Sequence, residues 1–449
     1  MLFRFTEKRP TAPGRGTGFF VRALALLLTA AACVFPLRAS ATGSDTPPSA
    51  GGPVGISIGE NTGGKKAGES GGGRAGESIG ENADGNAQVA LPTLSPGNIS
   101  AQSAILIDAD SGAVLYEKDA SHRLPMASTT KIMTALCAVE LADTAQVISV
   151  DPAAVGIEGS SIYLYEGEQL TLEQLLYALL LESANDAATA IAIAVAGSVE
   201  AFADRMNEKA AALGLKDTHF TNPHGLDNEE HYTTAHDLAL IAQAALKNPV
   251  LRTIFSTRKT SIPLNGTGGV RLLLNHNKML RMYEGAIGVK TGFTKRSGRC
   301  LVSAANRDGL TLIAVTLNAP DDWNDHTHML DAGFAACDRV TLCREGEYRA
   351  LLPVSGGKED YVLVKTRAAL ALTLPKSRPD ITCTVELPRF MTAPVEEGTA
   401  VGDLIFRCDI DGDGQAEVIG SLPLYTGYAV ERKAPKSFWR RLLARLGLG

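Results

Sequence analysis

From Ser103 the apolar positions alternate with polar ones in two short runs, "SAILID" and "AVLYEKD", on either side of Asp-Ser-Gly. Period-two patterning around such a triplet predicts a β-hairpin. The period then lengthens. In "MASTTKIMTALCAV", Met126 to Val139, the side chains of Ile132, Leu136 and Val139 fall on one side of a helix. The stretch from roughly Leu170 to Leu215 is rich in Ala and Leu at helical spacing. Three apolar, β-prone runs follow, "GAIGVKTG", "RCLVSAANRD" and "LTLIAVTLNA". Short turns separate them, which suits an antiparallel meander. A helix from about Asp321 to Cys337 closes the block. Helices between an early hairpin and a late meander predict an α+β domain over 101–337, with its first and last strands in one sheet. Beyond Asp338, runs such as "YVLVKT", "ALALTL" and "TCTVELP" are punctuated by Pro, Gly and Asp. They predict a small all-β domain over 338–430.

The flanks have other textures. Residues 42–100 carry Gly, Ser, Ala, Asn and Glu with few large apolar side chains. Such a segment buries too little to offset the entropy of ordering and reads as a disordered tether. Ahead of it, Arg4, Lys8, Arg9, Arg15 and Arg22 precede the apolar run "ALALLLTAAACVFPL" and the small residues Ala39-Ser40-Ala41. That is the pattern of a cleaved export signal, residues 1–41. The run falls short of the roughly 20 residues that span a bilayer. At the other end, "KAPKSFWRRLLARLGLG" places Phe438, Trp439, Leu442, Leu443 and Leu446 on one helical face, flanked by Lys436, Arg440, Arg441 and Arg445. A basic amphipathic helix over 431–449 suits an anionic membrane surface.

Composition adds limits. A chain of 449 residues with 45% hydrophobic and 20% charged residues has room for two or three globular domains. A net charge of −6 gives no reason to expect a nucleic-acid partner. Once Cys33 leaves with the signal, Cys137, Cys300, Cys337, Cys343, Cys383 and Cys408 remain, with no C-x-x-C pair to hold zinc. Export permits disulfides among them, but the spacing assigns none. His224, His231, His236, His326 and His328 form no metal-binding pattern. "DIDGDG", Asp409 to Gly414, opens like a calcium loop, but its twelfth position is Gly420, so it reads as a solvated turn.

Ser-x-x-Lys occurs three times. Ser355–Lys358 spans Gly356-Gly357, which disfavours a helix, and Ser256–Lys259 lies between short segments. Ser128–Lys131 opens an apolar helix, where residues three apart share a face and the N-terminal end favours an anion. "LESANDAATA" supplies Ser183-Ala184-Asn185 between two helices, and "VKTGFT" supplies Lys290-Thr291-Gly292 on a strand. Taken singly, Ser183 and Asn185 read as a helix cap and Lys290 as a solvated lysine. Taken in this order, the three motifs are those of penicillin-recognising enzymes.

"LPMASTTKIMTAL", "LLLESANDAATAIA", "FTNPHGLDNEEHYTTAHDLALIA" and "GVKTGFTKRSGRCLVSAA" extend the likeness. From about Ser103 onward the chain resembles the D-alanyl-D-alanine carboxypeptidases, the low-molecular-mass penicillin-binding proteins. The resemblance implies an α+β fold: a β-lactamase/DD-peptidase-like serine hydrolase domain with an antiparallel sheet between helices, then a β-rich domain. It implies acyl transfer from a peptidoglycan stem peptide to Ser128, with Lys131 as base. Ser183 would relay a proton to the departing D-alanine, and Asn185 would bind the substrate amide. Lys290 and Thr291 would hold the terminal carboxylate, and Gly292 would let the substrate approach the strand. The N–H groups of Ser128 and Phe293 would form the oxyanion hole. β-Lactams would be covalent inhibitors, and no metal or cofactor is implied. The signal and the terminal helix together imply the extracytoplasmic face of the cytoplasmic membrane. A β-lactamase fits less well, because no Glu-x-x-Leu-Asn stretch lies between Ser183 and Lys290. A penicillin-binding sensor and a transpeptidase use the same residues and stay open.

Overall fold

A computed structural model describes residues 89, 91–264, 268–410, 412–434, 443 and 445–447. The export signal, most of the tether and nearly all of the terminal helix lie outside the described residues.

The chain opens with the hairpin β1 (Ser103–Asp108) and β2 (Val114–Lys118). A 3₁₀ turn, Ala127–Thr130, leads into α1 (Lys131–Leu141). The short strands β3 (Val147–Ser149) and β4 (Gln169–Thr171) pair with each other. Then come α2 (Leu172–Leu181), α3 (Asn185–Ala196), α4 (Val199–Ala212), α5 (Ala235–Lys247) and α6 (Pro249–Ser256). A second hairpin, β5 (Lys259–Leu264) and β6 (Gly269–Leu274), precedes the short α7 (Met279–Met282). The meander is β7 (Ala286–Thr294), β8 (Gly298–Arg307) and β9 (Leu310–Leu317), closed by α8 (Asp322–Ala336).

Five of these strands form one antiparallel sheet in the order β2-β1-β9-β8-β7. β1 pairs with β9, Ser103 opposite Leu317, so the early hairpin and late meander share a sheet as expected. Alternate side chains enter two cores. Ile105, Ile107, Val302, Val315 and Leu317 join the core built with α1, α2, α3 and α5. Ala104, Leu106, Leu312 and Ala314 join the core built with Met329, Leu330 and Phe334 of α8. Burial on both faces explains why β8 and β9 read as continuous apolar runs, and β1, expected to alternate, is instead buried at every position.

Packing begins earlier than the 42–100 tether boundary. Leu94 N–H donates to Leu115 O, Ile99 is buried, and Ser100 donates from both N and Oγ to Asp325 at 2.8 Å. The pattern missed this because Leu91, Leu94 and Ile99 are isolated among Pro, Gly and Ser, and they find partners only on the folded domain.

The second domain is all β: β10 (Cys337–Cys343), β11 (Arg349–Ser355), β12 (Tyr361–Thr366), β13 (Leu370–Pro375), β14 (Thr382–Glu386), β15 (Met391–Thr392), β16 (Ala400–Cys408) and β17 (Glu417–Thr426). β10 pairs with β13, and the others form a sheet ordered β14-β16-β17-β12-β11-β15. The domain runs past 430: Arg432 bridges to Gly357 and Lys433 pairs with Asp360 at 3.0 Å. Residues 431–434 therefore pack on the β domain and are not the start of the terminal helix. Asp409 accepts from Gly414 N–H in the connection between the paired strands β16 and β17, and Asp411 lies outside the described residues. Cys137, Cys300, Cys337, Cys343, Cys383 and Cys408 are all free thiols. Among the described residues no single helix is long and apolar enough to cross a membrane, and no His/Cys/Asp/Glu cluster of metal-binding size occurs.

Candidate active site

Three segments far apart in sequence meet at one edge of the sheet: the turn before α1, the turn between α2 and α3, and β7. They surround a cavity of about 330 Å³ lined by Ser128, Ser183, Thr291, Gly292 and Phe293. Lys131, Asn185 and Lys290 form a buried layer next to these residues.

The turn that carries Ser128 is held in an uncommon shape. Ala127 has φ +46°, a left-handed conformation that costs a non-glycine residue about 1–3 kcal/mol. Its carbonyl is pinned by a relay. Thr221 N–H donates to His231 Nδ1 at 3.0 Å, so Nε2 carries the proton and donates to Thr130 Oγ1 at 2.8 Å. Thr130 Oγ1 donates in turn to Ala127 O at 2.8 Å. Burial pushes His231 down to about 3, which keeps the ring neutral and the relay intact. Gly225 (φ +88°) lets the 222–226 loop close on this turn, because a Cβ there would lie 1.9 Å from Ala127 O.

Lys131 begins α1 and is completely buried. Its Nζ donates to Asn185 Oδ1 at 2.7 Å and to His224 O at 2.6 Å, and it stands 2.9 Å from Ser128 Oγ. Burial, reinforced by the Lys290 charge, holds it well below the usual lysine range against an opposing pull from Asp186. A neutral amine has two N–H groups and one lone pair. Two acceptors take the N–H groups, which leaves the lone pair for Ser128.

Ser183 is no helix cap. It sits at φ +61°, Ala184 is the N-cap of α3 without a side-chain bond, and Asn185 is the first helical residue. Lys290 is no solvated lysine either: it is 2% exposed, and burial brings it down to about 7. Its Nζ donates to Ser183 Oγ at 3.0 Å and to Thr291 O at 2.8 Å. Gly292 has a nearer role than the substrate approach expected of it. A Cβ there would lie 3.1 Å from Met126 O, Ser128 N and Thr129 N, so its bareness seats β7 against the nucleophile turn.

The cavity also takes in Ser160, His276, Arg299, Asp322 and Trp323, which sequence reading did not single out. Arg299 is opposite Phe293 across the β7–β8 hairpin. Its Nε and Nη2 donate to Asp322 Oδ1 at 3.0 and 2.8 Å, and its side chain remains 42% exposed. A tight turn near Lys295–Ser297 is the only sequence hint of that pairing. Asp186 lies in the first turn of α3, where an acid is common, so its position alone carries no signal of a role at the site.

Both domains are similar to those of known proteins. The family model "D-alanyl-D-alanine carboxypeptidase" matches residues 89–321, and "Penicillin-binding protein 5, C-terminal domain" matches 338–432. The chain is 32% identical over 353 residues to the D-alanyl-D-alanine carboxypeptidase DacF of Bacillus subtilis, covering 76% of this chain and 89% of that one. The crystal structure of penicillin binding protein 5 from Haemophilus influenzae superposes with a TM-score of 0.60 at 26% identity, covering 76% of this chain and 100% of the other. A peptidoglycan synthesis regulatory factor (PBP3) from Streptococcus pneumoniae gives 0.61 at 26% identity, covering 75% and 100%.

Proposed function

Because the chain belongs to the D-alanyl-D-alanine carboxypeptidase family, we propose that it removes the terminal D-alanine from peptidoglycan stem peptides through an acyl-enzyme on Ser128. The observation that carries this reading is the Lys131 amine, buried, depressed in proton affinity and 2.9 Å from Ser128 Oγ. A serine hydroxyl attacks poorly unless a base removes its proton. Lys131 takes that proton as Oγ bonds to the carbonyl of the penultimate D-alanine. The oxyanion is received by the N–H groups of Ser128 and Phe293, whose strands and turn Gly292 holds in close contact. Ser183, linked to Lys290 Nζ, passes a proton to the amine of the leaving D-alanine. Water then attacks the ester and restores Ser128.

The substrate's free carboxylate needs a positive partner. Lys290 Nζ is buried and shared between Ser183 and Thr291 O, so its charge acts at short range beneath the site. Thr291 lines the cavity, and Arg299 on the wall supplies a permanent charge with exposed donors. Asn185 offers its remaining N–H to the substrate amide. A β-lactam would acylate Ser128 in the same way and leave a slowly hydrolysed ester.

The export signal and the basic C-terminal helix support a location on the extracytoplasmic face of the cytoplasmic membrane. Removing residues 435–449 should release the protein from anionic vesicles without loss of penicillin labelling.

The decisive assay measures D-alanine released from a peptide ending in D-Ala-D-Ala. Release by the wild type and none by Ser128→Ala supports the hydrolase reading. A folded wild type that labels with penicillin and releases nothing overturns it in favour of a sensor or transpeptidase.

A further inference from the structure

Asp186 follows Asn185 on α3, is fully buried, and has no ion-pair partner among the described residues. Donors from a single segment surround its carboxylate. Ser161 Oγ donates at 2.6 Å, Leu164 N–H at 3.0 Å, and Ile162 N–H to both oxygens at 3.3 and 3.2 Å. Ala187 N–H adds a fifth contact at 2.9 Å from the helix itself. A buried carboxylate persists only with hydrogen bonds of this kind, so the segment and the charge hold one another.

The far side of the same segment is fixed from β6. Arg271 Nε donates to Ile162 O at 2.9 Å and Nη2 to Tyr163 O at 3.2 Å, while the guanidinium pairs with buried Glu168. Between the two anchors Tyr163 is 86% exposed at φ +58°, a conformation its surroundings must impose.

What this strap delivers is a pair of carbonyls. Ser160 O accepts from Asn185 N–H at 2.7 Å, and Glu158 O accepts from Asn185 Nδ2. A side-chain amide has one donor end and one acceptor end. With Nδ2 directed at a carbonyl, Oδ1 must face Lys131 Nζ, as it does at 2.7 Å. A rotated amide would present N–H groups to the base and displace its lone pair from Ser128.

We propose that Asp186 is a positioning residue: by clipping the 158–164 segment onto the start of α3, it sets the orientation of the Asn185 amide and so aims Lys131 at Ser128. The inference rests on the reading of Ser128 as nucleophile and Lys131 as base.

A double-mutant cycle on the full chain tests it, read as the rate constant for acylation by a fluorescent penicillin. If Asp186 acts through Asn185, Asp186→Asn should slow acylation at least tenfold in the wild type and less than twofold in an Asn185→Ala background. Equal losses in both backgrounds would mean that Asp186 merely supports the fold, and would overturn the proposal. So would a wild-type rate in folded Asp186→Asn. Should that variant not fold, Ser161→Ala replaces it in the same cycle: it removes the 2.6 Å clip and keeps the buried charge. A threefold or greater loss confined to the Asn185 background supports the proposal, and no loss or an equal loss overturns it. Failure of the catalytic reading is seen separately, as a wild type that penicillin does not label at Ser128.

Discussion

Lys131 Nζ stands 2.9 Å from Ser128 Oγ, and its other two contacts, Asn185 Oδ1 and His224 O, are oxygens that can only accept. Burial, with the Lys290 charge, depresses the amine's proton affinity, and once neutral it gives its two N–H groups to those oxygens and its lone pair to the serine. Replacing the base by a group that cannot lose its proton should therefore stop the chemistry, because a permanent cation stands where the neutral amine was. Lys131→Arg is expected to lower penicillin acylation by about 10²–10⁴-fold, the usual contribution of a positioned base. Intact-protein mass spectrometry measures it, and acylation within tenfold of wild type would remove Lys131 from that role.

Burial and, after it, the neighbouring lysine lower the pH at which this base works. Its charge lowers the proton affinity of Lys131, so removing it lets Lys131 hold a proton to higher pH. Acylation needs the neutral amine and falls as pH drops through its pKa. The acid limb of the acylation rate should therefore move to higher pH in Lys290→Gln. A limb that stays put or moves down contradicts the coupling.

Stability carries the same signature. Folded Lys290 titrates at about 7, against 10.5 for an ordinary lysine. Between those values the unfolded chain binds a proton that the folded chain does not, so this contribution to stability is complete above 10.5 and fades as pH falls towards 7. Denaturant melts from pH 7.5 to 9.5 should show the stability difference, wild type minus Lys290→Gln, rising by about 1.4 kcal/mol per pH unit. A flat difference would mean that folded Lys290 keeps an ordinary affinity.

Gly292→Ala should impair both acylation and stability. Its Cβ would press on three backbone atoms of the nucleophile turn at 3.1 Å, and overpacking of this kind costs about 1–3 kcal/mol. Gly225→Ala, with a contact at 1.9 Å and a left-handed backbone, should lose more. Thermal melts rank the two, and the reverse order would show that the 222–226 loop yields more readily than β7.

Arg299→Gln should raise KM for a peptide with a free C-terminal carboxylate at least tenfold, as expected for losing a charge-assisted hydrogen bond of about 1.5–3 kcal/mol. The kcat should change less. An unchanged KM would leave the carboxylate to Thr291 and the buried Lys290.

Much of this protein was legible from residue order. Ser128 stands one turn ahead of Lys131 at the start of an apolar helix, Ser183 lies between two helices with Asn185 opening the second, and Lys290 lies on a β-prone run bounded by turns. Periodicity and turn residues act over a few positions, so the hairpin, the meander and the β-rich domain could be read directly. The domain edges could not, because Ile99 and Arg432 find their partners far along the chain.

The site's chemistry depended on tertiary contacts for the same reason. A one-turn spacing puts a lysine beside a serine, yet only burial by α3, β7 and the His224 loop makes that lysine a base. Arg299 reaches the cavity through a strand register, and Asp186 acts through a segment more than twenty residues earlier. Local sequence sets which groups are present and how the backbone near them folds. Desolvation and the direction of an amide are sums over neighbours from the whole chain, and those neighbours meet only in the folded state.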